Sequence, residues 1–546
     1  MACLVERFCE LVRSGVGVDD ILVVASSVDA ADELRDCLRD AVGPAGVPKL
    51  RVSSTRSLAL RLAGEETGHQ VRVLTHAERA VLLVDLRARG FSGEQVGEAL
   101  AVAQRAWRLG EGPSRPGADA CLAALLDELE VRGALLQEAL FARAMRRARG
   151  ASDEGALYVL VDRADLMPPA ALRLCDFLVG DELWATQAGG APCLEPTEPP
   201  VELPAPTRRL GARRAHVVKW ADAAEEAAGV AAFARQTLAA GLRPGDLFIA
   251  CPNRTWVRRI ADAMERVGVA ACSSSDRPPL SGDPRDARAS ADLRVFAALG
   301  LLAEPGDVAS WRTWCGVGRP DLAAAAWRRL EERAASRGQG LGETLAQVGR
   351  SEAPAASISP GDRVLAERVA AGWGLIRACD GRRGRALLDS LGGAGVPVPP
   401  DLVADGRGLV GSPDDARALF DRMHARVVEQ RFGRGDACVR VGHVSSLAGL
   451  HPRVLVLAGC NDGLVDDSVV LGALAQHRDE VLVSYVQRMP ADTAERQGAR
   501  VRRTRREAGD TVALLAPSPA IAALGPEVPS TTGGQQFCAT TLNLRP

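Results

Sequence analysis

The stretch LYVLVDRADLMPPA, residues 157–170, drives an apolar run into Asp162, with Arg163 beside it and Asp165 three positions on. A carboxylate at a strand tip is either a ligand for a divalent cation or the point where a buried strand meets water, as a helix cap or solvated end. Two hydroxyl-rich turns stand at expected strand ends: Ser54 and Thr55 with Arg56, and His443 with Ser445 and Ser446. The densest cationic stretch is ARVRRTRREAG, residues 499–509, where Arg500, Arg502, Arg503, Arg505 and Arg506 either meet several phosphates or form a solvated helix or loop. Trp256 in NRTWVRR, and Tyr485 followed by Gln487 and Arg488, offer rings beside cations, an arrangement that holds single strands. Trp311 and Trp314 are spaced instead as one apolar stripe. The seven histidines show no metal-ligand spacing, and HVSSLAG lacks the GxSxG arrangement of a nucleophile elbow.

Positioning these groups requires alternating strands and helices. A helix is expected over 2–13, a buried strand in DDILVVASS (19–27), and a helix in VDAADELRDCLRDAV with Ala31, Leu34, Leu38 and Ala41 on one face and Ser26 or Ser27 as its cap. Residues 47–64 give a second strand, a turn and another helix, and 76–150 have a helical period. Strand character returns at 157–161 and 181–185, before a proline-rich connector at 194–209. A second α/β unit opens at RAHVVKW and continues through 246–268; residues 290–430 are mainly helical, with a flexible break, LGGAGVPVPP, at 391–400. Strands resume at ACVRVGHVSS, 453–460, 479–485 and 511–517. Two α/β cores, each interrupted by a helical insertion, account for this order.

A chain of 546 residues is too long for one core, and 47% apolar with 25% charged residues is ordinary for a globular protein. The net charge of -2 excludes a bulk polycation but not a local basic strip. Thirteen cysteines show no CxxC pair; Cys3, Cys9, Cys37, Cys175 and Cys315 sit in apolar helical contexts, so reduced buried thiols and a cytoplasmic location are expected. No signal peptide and no charge-free membrane span are evident.

In its spaced fragments the chain resembles the UvrD/Rep/PcrA family of superfamily 1 DNA helicases. The fragments are ILVVASSVDAADELRDCL, VSSTRSLALRL, YVLVDRADLMPPAALRLCDFLV, GDLFIACPNRTWVRRIADAMERVGV, VRVGHVSSLAGLHPRVLVLAGCNDGLV and RDEVLVSY. The resemblance implies an α/β fold of two RecA-like parallel-sheet lobes, P-loop NTPase-like, with helical insertions. It divides the chain into lobe 1 (1–75 and 151–210) with an insertion at 76–150, lobe 2 (211–290 and 431–525) with an insertion at 291–430, and a flexible tail at 526–546. It also implies ATP and Mg2+ as cofactors, 3'-5' movement along DNA in repair or recombination, and single-stranded or partially duplex DNA as partner, met by neutral donors and cations of the two hydroxyl-rich turns, Ser54, Thr55 and Arg56 with His443, Ser445 and Ser446.

The residues at the matching positions depart from that chemistry. Phosphoryl transfer needs a phosphate-cradling loop and lysine, a metal carboxylate, a base and arginines. GxxxxGK[ST] does not occur in the sequence, Lys49 and Lys219 are its only lysines, and the first residues resemble the helix that follows such a loop. Asp162 falls on the magnesium carboxylate, but Arg163 stands where the family has its catalytic glutamate, with Asp165 further on. Gln187 lies near the γ-phosphate sensor position; Cys251 replaces a cleft arginine, with Arg254 three residues later. His451 replaces a nucleotide-contacting glutamate, Ala448 a lysine and Gln476 an arginine, leaving Arg478. Truncation upstream explains a missing loop, yet it does not explain positions 163, 251, 451 and 476. The expectation is therefore a helicase-family DNA-binding protein impaired in ATP hydrolysis. The alternatives are a non-catalytic scaffold subunit of a helicase–nuclease or repair complex, and a decayed gene product whose polar tail PSTTGGQQFCATTLNLRP lacks a terminal element.

Overall fold

The computed structural model describes residues 2–542 except 65–70, 114–118, 149–154, 187–191, 194–213, 274–279, 281, 351–359, 397, 399–415, 430–437, 448, 475–478, 508–509 and 523–529. The first sheet has the order Arg51–Ser54, Ile21–Ala25, Ala156–Val161, Val179–Thr186, Pro192–Cys193, parallel except for the last pair. Val23 sits between Val52 and Leu160, and all of Ile21–Ala25 is buried, as a central parallel strand covered on both faces must be. Helix Val28–Gly46 follows at once, because the Ser27 side chain accepts a hydrogen bond from the Ala30 amide. Ala31, Leu34 and Leu38 face the core, whereas Ala41 is exposed.

The second sheet has seven strands in the order Ala271–Ser273, Val439–His443, Leu247–Cys251, Val454–Leu457, Glu480–Val486, Arg214–Trp220, Thr532–Gly533, all parallel. Apolar side chains of the two sheets meet in one continuous core: Ile21, Val23, Leu34 and Leu160 on one side, Phe248, Leu455, Leu457 and Val481 on the other. The chain is thus α/β, with parallel sheets and helical layers, as the strand–helix alternation predicts.

Two groups of helices lie between strands of these sheets. The first holds His76–Ala88, Gly93–Arg108, Ala120–Val131 and Leu140–Ala148; the second runs from Ala291–Ala303 to Ala416–Glu429. They dock through buried ions. Arg312, fully buried in the second, grips Asp85 of the first with Nε at 2.8 Å and Nη2 at 2.5 Å, and Arg132 Nη2 reaches Asp85 at 2.6 Å and Glu128 at 2.7 Å. Burial pushes the Asp85 carboxyl up, but Arg312 and Arg132 outweigh it and hold it below the ordinary range. Losing one partner of such a group costs about 3–5 kcal/mol. Among the described residues no helix is long and apolar enough to cross a membrane.

Several expectations are corrected. The strand expected at 511–517 is Asp510–Leu515, and it lies in a separate antiparallel sheet with Arg488–Pro490 and Val501–Glu507. The arginine stretch is therefore a strand, not a helix or loop. The expected break at 391–400 begins inside helix Gly384–Gly393, and the connector 194–209 lies outside the described residues. Residues 532–540, expected in a flexible tail, add strand Thr532–Gly533 to the second sheet and helix Gly534–Thr540 behind it. Phe537 is buried against Trp220 and Phe233, and Gly229 and Gly534 leave the space that the Trp220 ring fills. Cys175 and Cys315 are buried thiols, but Cys3, Cys9 and Cys37 are half-buried, and Cys272 is disulfide-bonded to Cys438.

Candidate functional site: a sealed seam and an exposed arginine strand

Asp162 ends strand Ala156–Val161, and its amide donates to Val24 O at 2.8 Å, so it lies beside the end of the central strand. It is fully buried, which corrects the solvated-end reading, and the short turn Ala164–Leu166 that follows has Arg163, not Asp162, at its cap position. Thr186 Oγ1, at the end of the neighbouring strand, donates to Asp162 Oδ1 at 3.1 Å and accepts from the Arg163 amide at 2.9 Å. Burial pushes the Asp162 carboxyl above its usual range, opposed by the Thr186 hydrogen bond. Arg163 takes a left-handed backbone, φ 57, and turns its guanidinium onto Asp165 in a bidentate pair of 2.9 and 2.8 Å. The Arg163 cation thus has a local carboxylate.

Across from this loop lies the turn after strand Val439–His443. Gly449 has φ +80 and is buried; a Cβ there would meet Ser26 Oγ at 2.6 Å, Ala30 Cβ at 3.5 Å and Leu166 Cδ1 at 3.9 Å. Ser26 follows the central strand of the first sheet and Leu166 ends the short turn after Arg163. The seam is tied again by Glu33, whose Oε2 accepts from the His451 amide at 2.9 Å while Oε1 accepts from Arg440 Nη2 at 3.2 Å. The Asp162 loop and the Gly449 turn therefore meet in direct contact, through Leu166. His451 enters through its backbone amide.

The other expected residues scatter. Ser54 and Thr55 are buried, Ser54 Oγ donating to Ser57 Oγ at 2.9 Å, and half-buried Arg56 donates to Val428 O at 3.4 Å; burial lowers its pKa. These three do not form an open phosphate-binding turn. His443 is exposed and Ser446 half-buried in the turn Val444–Leu447, which also contains Ser445. Arg254 starts helix Arg254–Arg266 and is exposed rather than turned into the seam. Gln187, Gln476, Arg478 and Ala448 lie outside the described residues. Trp256 is no stacking platform: its ring is buried, and Nε1 donates to Glu226 at 2.6 Å. Trp311 and Trp314 are core residues, as their spacing predicts. Among the described residues no group of three His, Cys, Asp or Glu is arranged to hold a metal ion, and buried Asp162 presents no open coordination face with neighbouring carboxylates.

The arginine stretch does the reverse. Strand Val501–Glu507 is the edge of its three-stranded sheet, and every residue from Val501 to Arg506 is exposed. Among the described residues its ion pairs are Arg488–Glu507 at 3.3 Å, Arg505–Glu507 at 3.8 Å and Arg500–Asp462 at 3.5 Å, none of which takes up Arg502, Arg503 or Arg506. Alternation along the strand sends these cations to both faces of a ribbon, where polyanion phosphates reach them without desolvating a core.

Sequence reasoning missed Ser26, Glu33, Thr186 and Arg440 as seam residues. Glu33 and Arg440 are 407 positions apart, and no local pattern signals such a pair. No protein-family model matches this chain, and no curated protein matches it.

Proposed function

We propose that this chain is a single-stranded-nucleic-acid-binding scaffold of helicase-like architecture, with two RecA-like lobes of the UvrD type, and that it does not itself turn over ATP. The observation that carries this reading is the contrast within the candidate site: Asp162 is buried and hydrogen-bonded in a closed seam, while Arg502, Arg503 and Arg506 stand exposed without a carboxylate partner among the described residues. A motor must open its inter-sheet cleft to nucleotide and aim a base and arginines at the phosphoryl group. Here apolar contacts fill the space between sheets and Arg163 is spent on Asp165. Phosphate neutralisation by the arginine strand requires no cleft. The protein would then work in the cytoplasm by holding DNA for a nuclease or repair subunit.

The test is paired. Fluorescence anisotropy with fluorophore-labelled single-stranded oligonucleotides of varied sequence should show binding with little sequence preference and a steep salt dependence. ATP turnover in the presence of the same DNA should stay at background. Hydrolysis at a motor's rate, or no salt-dependent DNA binding, would overturn the reading.

A further inference from the structure

We propose that the outer face of helix Arg254–Arg266 is a second phosphate-binding surface that lengthens the strand held by the arginine ribbon; this rests on the nucleic-acid reading above. Arg254, Arg258, Arg259 and Arg266, with Thr255 and Asp262, line a groove of about 340 Å³. Arg254, Arg258, Asp262 and Arg266 follow at four-residue intervals, so they form one exposed row with a rise of about 6 Å per step. Trp256, Val257 and Ile260 on the opposite face are buried, which fixes the row toward solvent.

Four cations and one acid line the groove, and exposed Glu265 stands beside Arg266 on the same helix, so cations remain in excess. Arg266 Nε donates to the Asp262 backbone carbonyl at 3.1 Å and Arg259 lies over the Trp256 ring at 5.7 Å, whereas the described residues provide no carboxylate partner for Arg254 or Arg258. The row is also anchored to the ribbon. Asn253, the cap of this helix, donates from Nδ2 to Gln497 Oε1 at 3.3 Å, and Gln497 ends helix Ala491–Arg496 just before strand Val501–Glu507. The Asn253–Gln497 bond thus joins the start of the row to the root of the ribbon. A single strand bound to the ribbon continues along a second track of cations, which takes a phosphodiester backbone without reading bases. Asp262 opposes that charge and tunes it down.

Two variants test this with effects of opposite sign. Arg254→Gln with Arg258→Gln removes two phosphate contacts, so the slope of log K against log salt for an oligonucleotide of about 20 nucleotides should fall by about 1.4. The loss in affinity between wild type and variant should change about sevenfold from about 50 to 200 mM salt. Asp262→Asn should tighten binding and steepen the slope, with the Arg266 bond to the Asp262 carbonyl preserved. An oligonucleotide too short to leave the ribbon should not distinguish these variants from wild type, and unchanged thermal unfolding should accompany all of them. If replacing the ribbon arginines weakens binding but neither helix variant alters it, the second surface is refuted and the nucleic-acid reading stands. If inorganic polyphosphate of matched charge shows the same helix dependence while single-stranded DNA does not, the surface serves a free polyanion and the proposal fails. Absence of DNA binding by the intact chain would remove both.

Discussion

The end of the first sheet and the edge of the small antiparallel sheet carry charge in opposite ways. At Asp162 the fold hides a carboxylate, gives it a threonine hydroxyl and closes the space beyond with Ser26, Leu166 and Gly449. At Val501–Glu507 it leaves a row of arginines in water on both faces of a strand. A buried ionisable group is costly unless satisfied, while solvated arginines cost little and remain available. The position that resembles chemistry is therefore the one the structure shields, and the position that is only a charge run is the one a ligand can reach.

The largest effect expected concerns the exposed half. Replacing Arg502, Arg503, Arg505 and Arg506 with Gln should lower the salt slope for single-stranded DNA by about 2.8, with thermal stability changed by no more than about 0.5 kcal/mol. A preserved slope would collapse the contrast. Next comes the sealed half: Gly449→Ala places a Cβ against Ser26 at a left-handed backbone, and urea unfolding should report a loss of about 3 kcal/mol. Unchanged stability would mean that the seam is not tightly closed. Glu33→Gln should cost less, about 1–2 kcal/mol, because it weakens the charge-assisted bond from Arg440 while leaving an acceptor for the His451 amide.

The smallest effect is a pH dependence. Burial raises the Asp162 carboxyl, so the folded protein keeps its proton to higher pH than the unfolded chain does. Stability from this group therefore falls as pH climbs from the ordinary carboxylate range through the folded value. Asp162→Asn removes that fall: its Tm should exceed wild type at about pH 8, and the difference should shrink on acidification. A constant difference across the range would show that Asp162 is not held above its usual range.

Much of the architecture was readable from local pattern. The all-apolar run Ile21–Ala25, the Ser27 cap and the helical stripes reflect short-range rules, and the structure follows them. Side-chain partners were less readable. Ser54 and Thr55 look like a polar turn, yet helix Thr55–Gly64 starts directly after the strand and buries both. Trp256 beside arginines looks like a platform, but helical periodicity turns the ring inward to Glu226 while the arginines point out. The ribbon does not look like a strand because its paired arginines, Arg502–Arg503 and Arg505–Arg506, lack the apolar face that normally marks one; its pairing with Asp510–Leu515 is set by the partner strand.

The seven-stranded sheet assigns one more role to the second helical insertion. Strands Ala271–Ser273 and Val439–His443 are parallel neighbours, with Cys272 and Cys438 bridged at a Cα separation of 5.7 Å. Parallel neighbours cannot be joined by a tight hairpin; they need a crossover of about a dozen residues or more. The stretch between these strands thus serves as the crossover that parallel pairing requires, and cutting it out entirely would strand the edge of the sheet.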